Sequence, residues 1–195
     1  MSKTPGKHQK IIILLIFLIT LGPFGFAYTL YKKGNKAQLK LNNHGDLITP
    51  VINVEKNQAI SGEQLLGKWW LVYVGPKNCR LECHDMLYNL KQIRTALGKD
   101  TPRVERLFIA HPNCDKSVCE TFISDNYPDM KRITMPLADF NQLFAGLSQH
   151  FEREMVGEVY IIDPKGNLMM RYSADSQARD ILSDVKRLLR TSKIG

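Results

Sequence analysis

Apolar residues change their spacing along the chain, and each change marks an element. Residues 11 to 31, IIILLIFLITLGPFGFAYTLY, are uncharged and have about the length of a helix that spans a bilayer. Residues 32 to 46, KKGNKAQLKLNNHGD, are polar and basic and read as a linker. Leu47 to Ile60 carries Pro50 and short β-prone pieces such as Val51 to Val54, an extended lead-in to a folded domain. From Trp69 to Val74 every side chain is apolar, as in a strand covered on both faces. Gly75-Pro76 ends that run, and the period then becomes helical. Leu87, Leu90, Ile93 and Leu97 continue from Cys83, with Gly98 as a stop, which predicts a helix over 81–97.

Val104 to Ala110 predicts a second buried strand, closed by His111-Pro112 because proline cannot donate to a ladder. Residues 113 to 136 show no clean period, and only a short helix around Lys116 to Ile123 is expected there. Leu137 to Leu147 places Leu137, Phe140, Leu143, Phe144 and Leu147 on one helical face. Val159 to Asp163, the turn Pro164-Lys165-Gly166-Asn167, and Leu168 to Tyr172 predict a hairpin. A last helix over 176–190 buries Ala178, Ile181, Leu182, Val185, Leu188 and Leu189, with Asp175 or Ser173 as its cap. The order β-α-β-α-β-β-α fits an α/β domain of thioredoxin type. The organisation expected is a tail (1–10), a transmembrane anchor (11–31), a juxtamembrane linker (32–46) and the thioredoxin-like domain (47–195).

Charge alters one conclusion. The net charge of +8 would ordinarily suggest nucleic acid as a partner. Seven of the 27 basic residues lie in the first 45 positions, which hold no Asp or Glu. The remaining 20 face all 19 acidic residues, so the domain is close to neutral. The excess flanks the apolar run, where it meets lipid headgroups. Nucleic-acid binding is excluded from the reading, and the membrane takes its place. A cleaved signal peptide competes with a retained anchor, with Gly22-Pro23 as breaker and Gly25-Phe26-Ala27 as cleavage site. A retained anchor is expected, because apolar character continues through Tyr28, Leu30 and Tyr31. A short tail before a large domain then puts that domain on the periplasmic side of the inner membrane.

The candidate chemistry is sulfur. Cys79 and Cys83 follow the first buried strand where the helix begins, and the positive end of a helix dipole favours thiolate. Residues four apart share a helical face, so both sulfurs could reach one metal ion or each other, near the upper part of the Cα range a disulfide tolerates. His84 follows directly and is expected to be an exposed first-turn histidine. His111 ends the second strand, at the edge where open α/β sheets present ligands, and is a candidate site residue. Cys114 and Cys119 form a second pair. A structural disulfide, a resolving pair for Cys79 and Cys83, free thiols and a four-cysteine zinc site all remain open for it. Of Trp69 and Trp70, which alternate across the strand, at least one is expected in the core.

These residues carry a resemblance. The strand Gly67-Lys68-Trp69-Trp70-Leu71-Val72-Tyr73, the Cys79-x-x-x-Cys83 pair, the hairpin Val159 to Gly166 and the anchor-then-domain layout resemble the Sco/SenC proteins. Those are membrane-anchored thioredoxin-fold factors for copper delivery to cytochrome c oxidase. The run Cys79 to Arg106, together with Asn43 to Ile48, is similar to a bacterial group called transmembrane cytochrome oxidase-associated proteins. The resemblance implies a thioredoxin-like domain, a central mixed sheet with flanking helices, behind one transmembrane helix. It implies Cys79 and Cys83 as copper ligands or redox cysteines, and an oxidase subunit or another assembly factor as partner. One position departs from it: Sco proteins carry a copper-binding histidine where this chain has about Met155. A thioether suits Cu(I), so Met155 and His111 are the candidate further ligands. Two other expectations use the same pair: a thiol-disulfide oxidoreductase of the cell envelope, and an interaction module with structural cysteines.

Overall fold

The computed structural model describes residues 6–34, 43–54, 60, 65–148 and 157–194. The chain divides into two units, Met1–Asn42 and Asn43–Gly195. In the first, α1 (Lys7–Gly34) runs straight through Gly22-Pro23. Its stretch His8–Thr29, 22 residues, is long and apolar enough to cross a membrane.

The second unit is built on six strands: β1 (Asp46–Asn53), β2 (Trp69–Val74), β3 (Val104–Ala110), β4 (Lys131–Thr134), β5 (Val159–Ile162) and β6 (Asn167–Tyr172). Their order in the sheet is β1-β6-β5-β2-β3-β4. β2, β3 and β4 are parallel, while β5, β6 and β1 are joined antiparallel. This is the mixed sheet expected of a thioredoxin-like fold. The helices are α2 (Leu81–Thr95), the short α3 (Ile123–Asn126), α4 (Leu137–Ser148) and α5 (Ala178–Thr191).

All six residues of β2 are buried because both faces of the sheet are covered. Trp69, Leu71 and Tyr73 meet Leu87, Leu90 and Ile93 of α2 and Ile181, Val185 and Leu189 of α5. Trp70, Val72 and Val74 meet Phe140, Leu143, Phe144 and Leu147 of α4. Both tryptophans are core residues, on opposite faces, and the Trp70 indole donates to the Leu65 carbonyl at 2.8 Å. The hairpin forms as expected. Asp163 accepts the backbone N–H groups of Lys165 and Asn167, each at 2.9 Å, and Gly166 takes the left-handed φ of 76° that the turn requires.

Three expectations need correction. The lead-in is strand β1, paired with β6 in two blocks separated by a register shift between Leu47 and Ile52. Pro50 lies within that irregular stretch of an edge strand, where a missing donor is tolerated. The featureless stretch contains β4, which buries only Ile133, exposes Arg132 and Thr134, and lays the half-buried Lys131 over the Trp70 ring, Nζ 5.7 Å from its centroid. A short charged strand is how an edge avoids further pairing, and it leaves no apolar period to detect. Helix α5 starts after an extended Gln177 with no side-chain cap, while the Ser173 hydroxyl meets that of Ser176 at 3.1 Å.

Candidate functional site

Parallel strands deliver their carboxyl ends to one edge, here Gly75 to Cys79 after β2 and His111 to Asp115 after β3. β5 runs the other way, so it begins at the same edge. The three segments are tied together by backbone bonds: Gly157 N–H to Val74 O (2.8 Å), Val74 N–H to Glu158 O (3.1 Å) and Gly75 N–H to Ile109 O (2.9 Å). Gly75 is required by space, since a Cβ there would lie 2.3 Å from the Phe108 ring. A side chain at this position would have to displace the buried Phe108 ring.

Cys79 and Cys83 are joined as a disulfide with Cα atoms 5.1 Å apart. The geometry differs from the expected helical pair. Cys79 lies outside the helix, one residue before an extended Arg80 that acts as N-cap without a side-chain cap bond. Cys83 sits in the first turn of α2 and is buried. The bond therefore spans loop and helix, and its Cα separation falls inside the usual range instead of near its upper end. Beside Cys83 opens a cleft of about 190 Å³ lined by Tyr73, Pro76, Arg80, Met86, Gly157 and Ala174, among others. Burial pushes the Tyr73 hydroxyl above the ordinary phenol range, and the Glu82 carboxylate adds to this, so it remains a neutral donor at the cleft wall.

The second pair is also a disulfide, Cys114–Cys119, with Cα atoms 6.2 Å apart. It connects the loop after β3 to a π-helical turn, Ser117–Phe122, that leads into α3. Asp115 starts that turn, its carboxylate accepting the Ser117 N–H at 2.8 Å. The two cysteine loops touch, since the Asp115 N–H donates to the Lys77 carbonyl at 3.4 Å. The segments behind them touch as well: His84 of α2 stacks on Phe122, ring centroids 4.2 Å apart. Cys83 and Cys119 belong to one buried cluster, with Cys79 and Cys114 packed against it. Cys114 and Cys119 are bonded to each other, so in this structure they are not free thiols. His84 is half-buried by its stack instead of exposed.

His111 stands at the end of β3 as predicted. Its ring lies 5.6 Å from that of Phe140, a residue of the α4 face, and its Nδ1 accepts the Asn113 N–H at 3.0 Å. It is thus held towards α4, whereas the cysteines belong to the α2 face. Met155 lies outside the described residues. Among the described residues no group of three or more His, Cys, Asp or Glu is placed to hold a metal. The described donor set for Cu(I) is the cysteine pair itself. Two sulfurs close enough to bond to each other can, once reduced, share one soft monovalent ion.

Sequence reasoning missed the buried charges around this edge. Glu158 and Arg171 are both nearly inaccessible and paired, with Arg171 Nε donating to Glu158 Oε2 at 2.7 Å and its Nη2 to Oε1. The Tyr160 hydroxyl donates to the same carboxylate at 2.8 Å. Asp184, on the inner stripe of α5, accepts the N–H groups of His44 and Gly45 (2.7 and 3.0 Å) and the Tyr172 hydroxyl at 3.1 Å. An Asp between Ile181 and Val185 on an apolar stripe was the available signal, because a buried carboxylate needs donors.

A family model described as the transmembrane-like, thioredoxin-like, C-terminal domain matches residues 69–192. No curated protein matches the sequence. Among solved structures, copper-bound yeast Sco1 is similar at 21% identity and a TM-score of 0.54, covering 66% of this chain and 82% of that one. BsSco, a member of the Sco family of cytochrome c oxidase assembly proteins in which a disulfide switch was identified, is similar at 20% identity. Its TM-score is 0.50, with 67% of this chain and 85% of that chain covered. A SCO1/SenC family lipoprotein from Bacillus anthracis is similar at 20% identity and a TM-score of 0.50, over 79% of this chain and 98% of that one. At these identities the likeness is one of fold, and it is the fold that the sequence resemblance implied.

Proposed function

The chain belongs to the transmembrane-like, thioredoxin-like C-terminal domain family, and from that premise we propose that it is a membrane-anchored assembly factor for cytochrome c oxidase. It works through Cys79 and Cys83, either as a Cu(I)-binding dithiolate or as the reductant of a partner's copper-site cysteines. The observation that carries this reading is the Cys79–Cys83 pair at the carboxyl end of β2, beside its own cleft. Both roles need the same reduced pair. The copper-bound and oxidase-assembly descriptions of the similar Sco structures support the reading. In this proposal residues 11–31, within α1, are the retained anchor, residues 1–10 and 32–46 are its flanks, and the domain faces the periplasm. Met155 supplies a third sulfur to Cu(I), or His111 turns from Phe140 to do so.

The purified domain from residue 41, reduced and titrated with Cu(I) against a chelator, should bind one ion. Cys79→Ser/Cys83→Ser should abolish that binding, and Met155→Leu should weaken it if the thioether is a ligand. Equal affinity in wild type and the double variant would exclude copper at this pair. A second reading, a thiol-disulfide oxidoreductase of the cell envelope, is favoured by the second disulfide beside the first. It is separated from the first by turnover on a disulfide substrate in the absence of copper.

A further inference from the structure

We infer that Cys114–Cys119 is a second redox pair that exchanges electrons with Cys79–Cys83 inside the molecule, through a transient Cys79–Cys114 disulfide. The inference rests on Cys79 and Cys83 cycling as a dithiol. Three observations support it.

The first is proximity. The Asp115 N–H to Lys77 carbonyl bond ties the two loops together. Standard backbone dimensions then limit the Cα atoms of Cys79 and Cys114 to no more than about 12 Å apart. A disulfide needs about 7 Å or less, so a few ångströms of loop movement suffice. Neither Cys79 nor Cys114 lies in a helix or strand that would resist it. The second is a shared asymmetry. In each pair the cysteine nearer the strand, Cys79 or Cys114, is half-buried, while its partner, Cys83 or Cys119, is buried beneath it. The two more exposed cysteines are those in the touching loops. Each buried sulfur is placed to resolve a mixed bond made by its partner. The third is separate access. Cys83 lines the cleft with Tyr73 and Gly157, whereas Cys119 lines another of about 480 Å³ with Ala110, Ser124, Arg132 and Thr134. The two clefts share no lining residue, so a donor at one leaves the other open.

The steps balance. An external protein dithiol first reduces Cys114–Cys119 and is itself oxidised to a disulfide. The Cys114 thiolate attacks the Cys79 sulfur, the Cys79–Cys83 bond breaks, and Cys83 leaves as a thiolate that takes a proton. The Cys119 thiolate then attacks the Cys114 sulfur, restoring Cys114–Cys119 and releasing Cys79, which takes the second proton. Two electrons and two protons pass from one pair to the other, and Cys79 and Cys83 end as the reduced dithiol.

The test is Cys83→Ser/Cys119→Ser in the purified protein, equilibrated in a glutathione redox buffer and mapped by mass spectrometry without reduction. Most molecules should carry a peptide linked through Cys79 and Cys114. Cys119→Ser alone keeps the first disulfide and one attacking thiol, and it should yield the same linked peptide even if the double variant folds poorly. Only glutathione adducts or free thiols in both variants would overturn the relay. Neither readout involves copper or an oxidase partner, so such a failure leaves the assembly-factor reading intact. Conversely, absence of copper binding does not affect the linked peptide.

Discussion

In the antiparallel half of the sheet, β5, β6 and β1, buried charge is matched group for group. The parallel half, β2, β3 and β4, leaves a buried charge half-matched and places its reactive groups in loops. Glu158 receives Arg171 through two nitrogens and the Tyr160 hydroxyl besides. Arg106 on β3 is just as buried, yet only its Nη2 has a carboxylate, Asp129 at 2.5 Å, and among the described residues its Nε and Nη1 have no hydrogen-bond partner, the guanidinium lying 5.8 Å from the Tyr127 ring centroid. Asp129 is itself half exposed. Burial works against its ionised form, but the Arg106 guanidinium, a backbone N–H and Arg94 together hold the carboxyl below its usual range. One half thus serves as a fixed frame, and the other keeps its strand ends free for chemistry.

The comparison is broken most sharply at Arg171. Arg171→Met strands the Glu158 carboxylate in the interior with a single tyrosine donor, and losing one partner of a buried pair costs about 3–5 kcal/mol. The urea midpoint should fall accordingly with an unchanged m-value. A loss below about 1 kcal/mol would mean that water reaches Glu158 and that the frame is not sealed. Asp184→Asn comes next. An amide cannot accept from two backbone N–H groups and a phenol as a carboxylate does, and a loss of about 2 kcal/mol is expected in the same measurement.

The parallel half should respond less than Arg171. Cys114→Ser/Cys119→Ser removes a short closed loop, worth about 2 kcal/mol by chain entropy. Hydrogen exchange should localise the loosening to residues 111–126 and leave α2 protected by Leu87, Leu90 and Ile93. The smallest effect is expected for Arg106→Met. The charge left behind is the half-exposed Asp129, and the methionine fills apolar space without unpartnered nitrogens, so stability should stay within about 1 kcal/mol of wild type. A large loss there would show that Arg106 is matched by buried water, and the contrast between the halves would disappear.

What the sequence disclosed divides the sheet differently, into its centre and its two edges. β2 and β3 were legible because two-sided burial writes a continuous apolar run, and α4 and α5 because one-sided burial writes a helical period. β4 and β1 were not, since edge strands carry charge, proline and irregular pairing in place of alternation. Cys79 looked helical because spacing alone extends a period backwards, and only the extended backbone at Arg80 shows that the helix begins after it. The partnership of Cys114 with Cys119 could not be read, since four cysteines permit three pairings. Glu158, just before β5, and Arg171, in β6, stand at positions that solvent would also suit, and nothing local marks them as buried.

The His44-Gly45 junction also has a mechanical meaning. The chain entering the domain meets Asp184 before it reaches the ladder of β1 with β6. It is fastened there by two backbone bonds and the His44 ring, Nδ1 to Oδ1 at 3.2 Å. Gly45 lies so close to Tyr172 that a Cβ would sit 2.6 Å from its ring, which fixes the strap against the sheet. A pull arriving along the upstream chain therefore meets the bonds to Asp184 of α5 before it meets the ladder of β1 with β6.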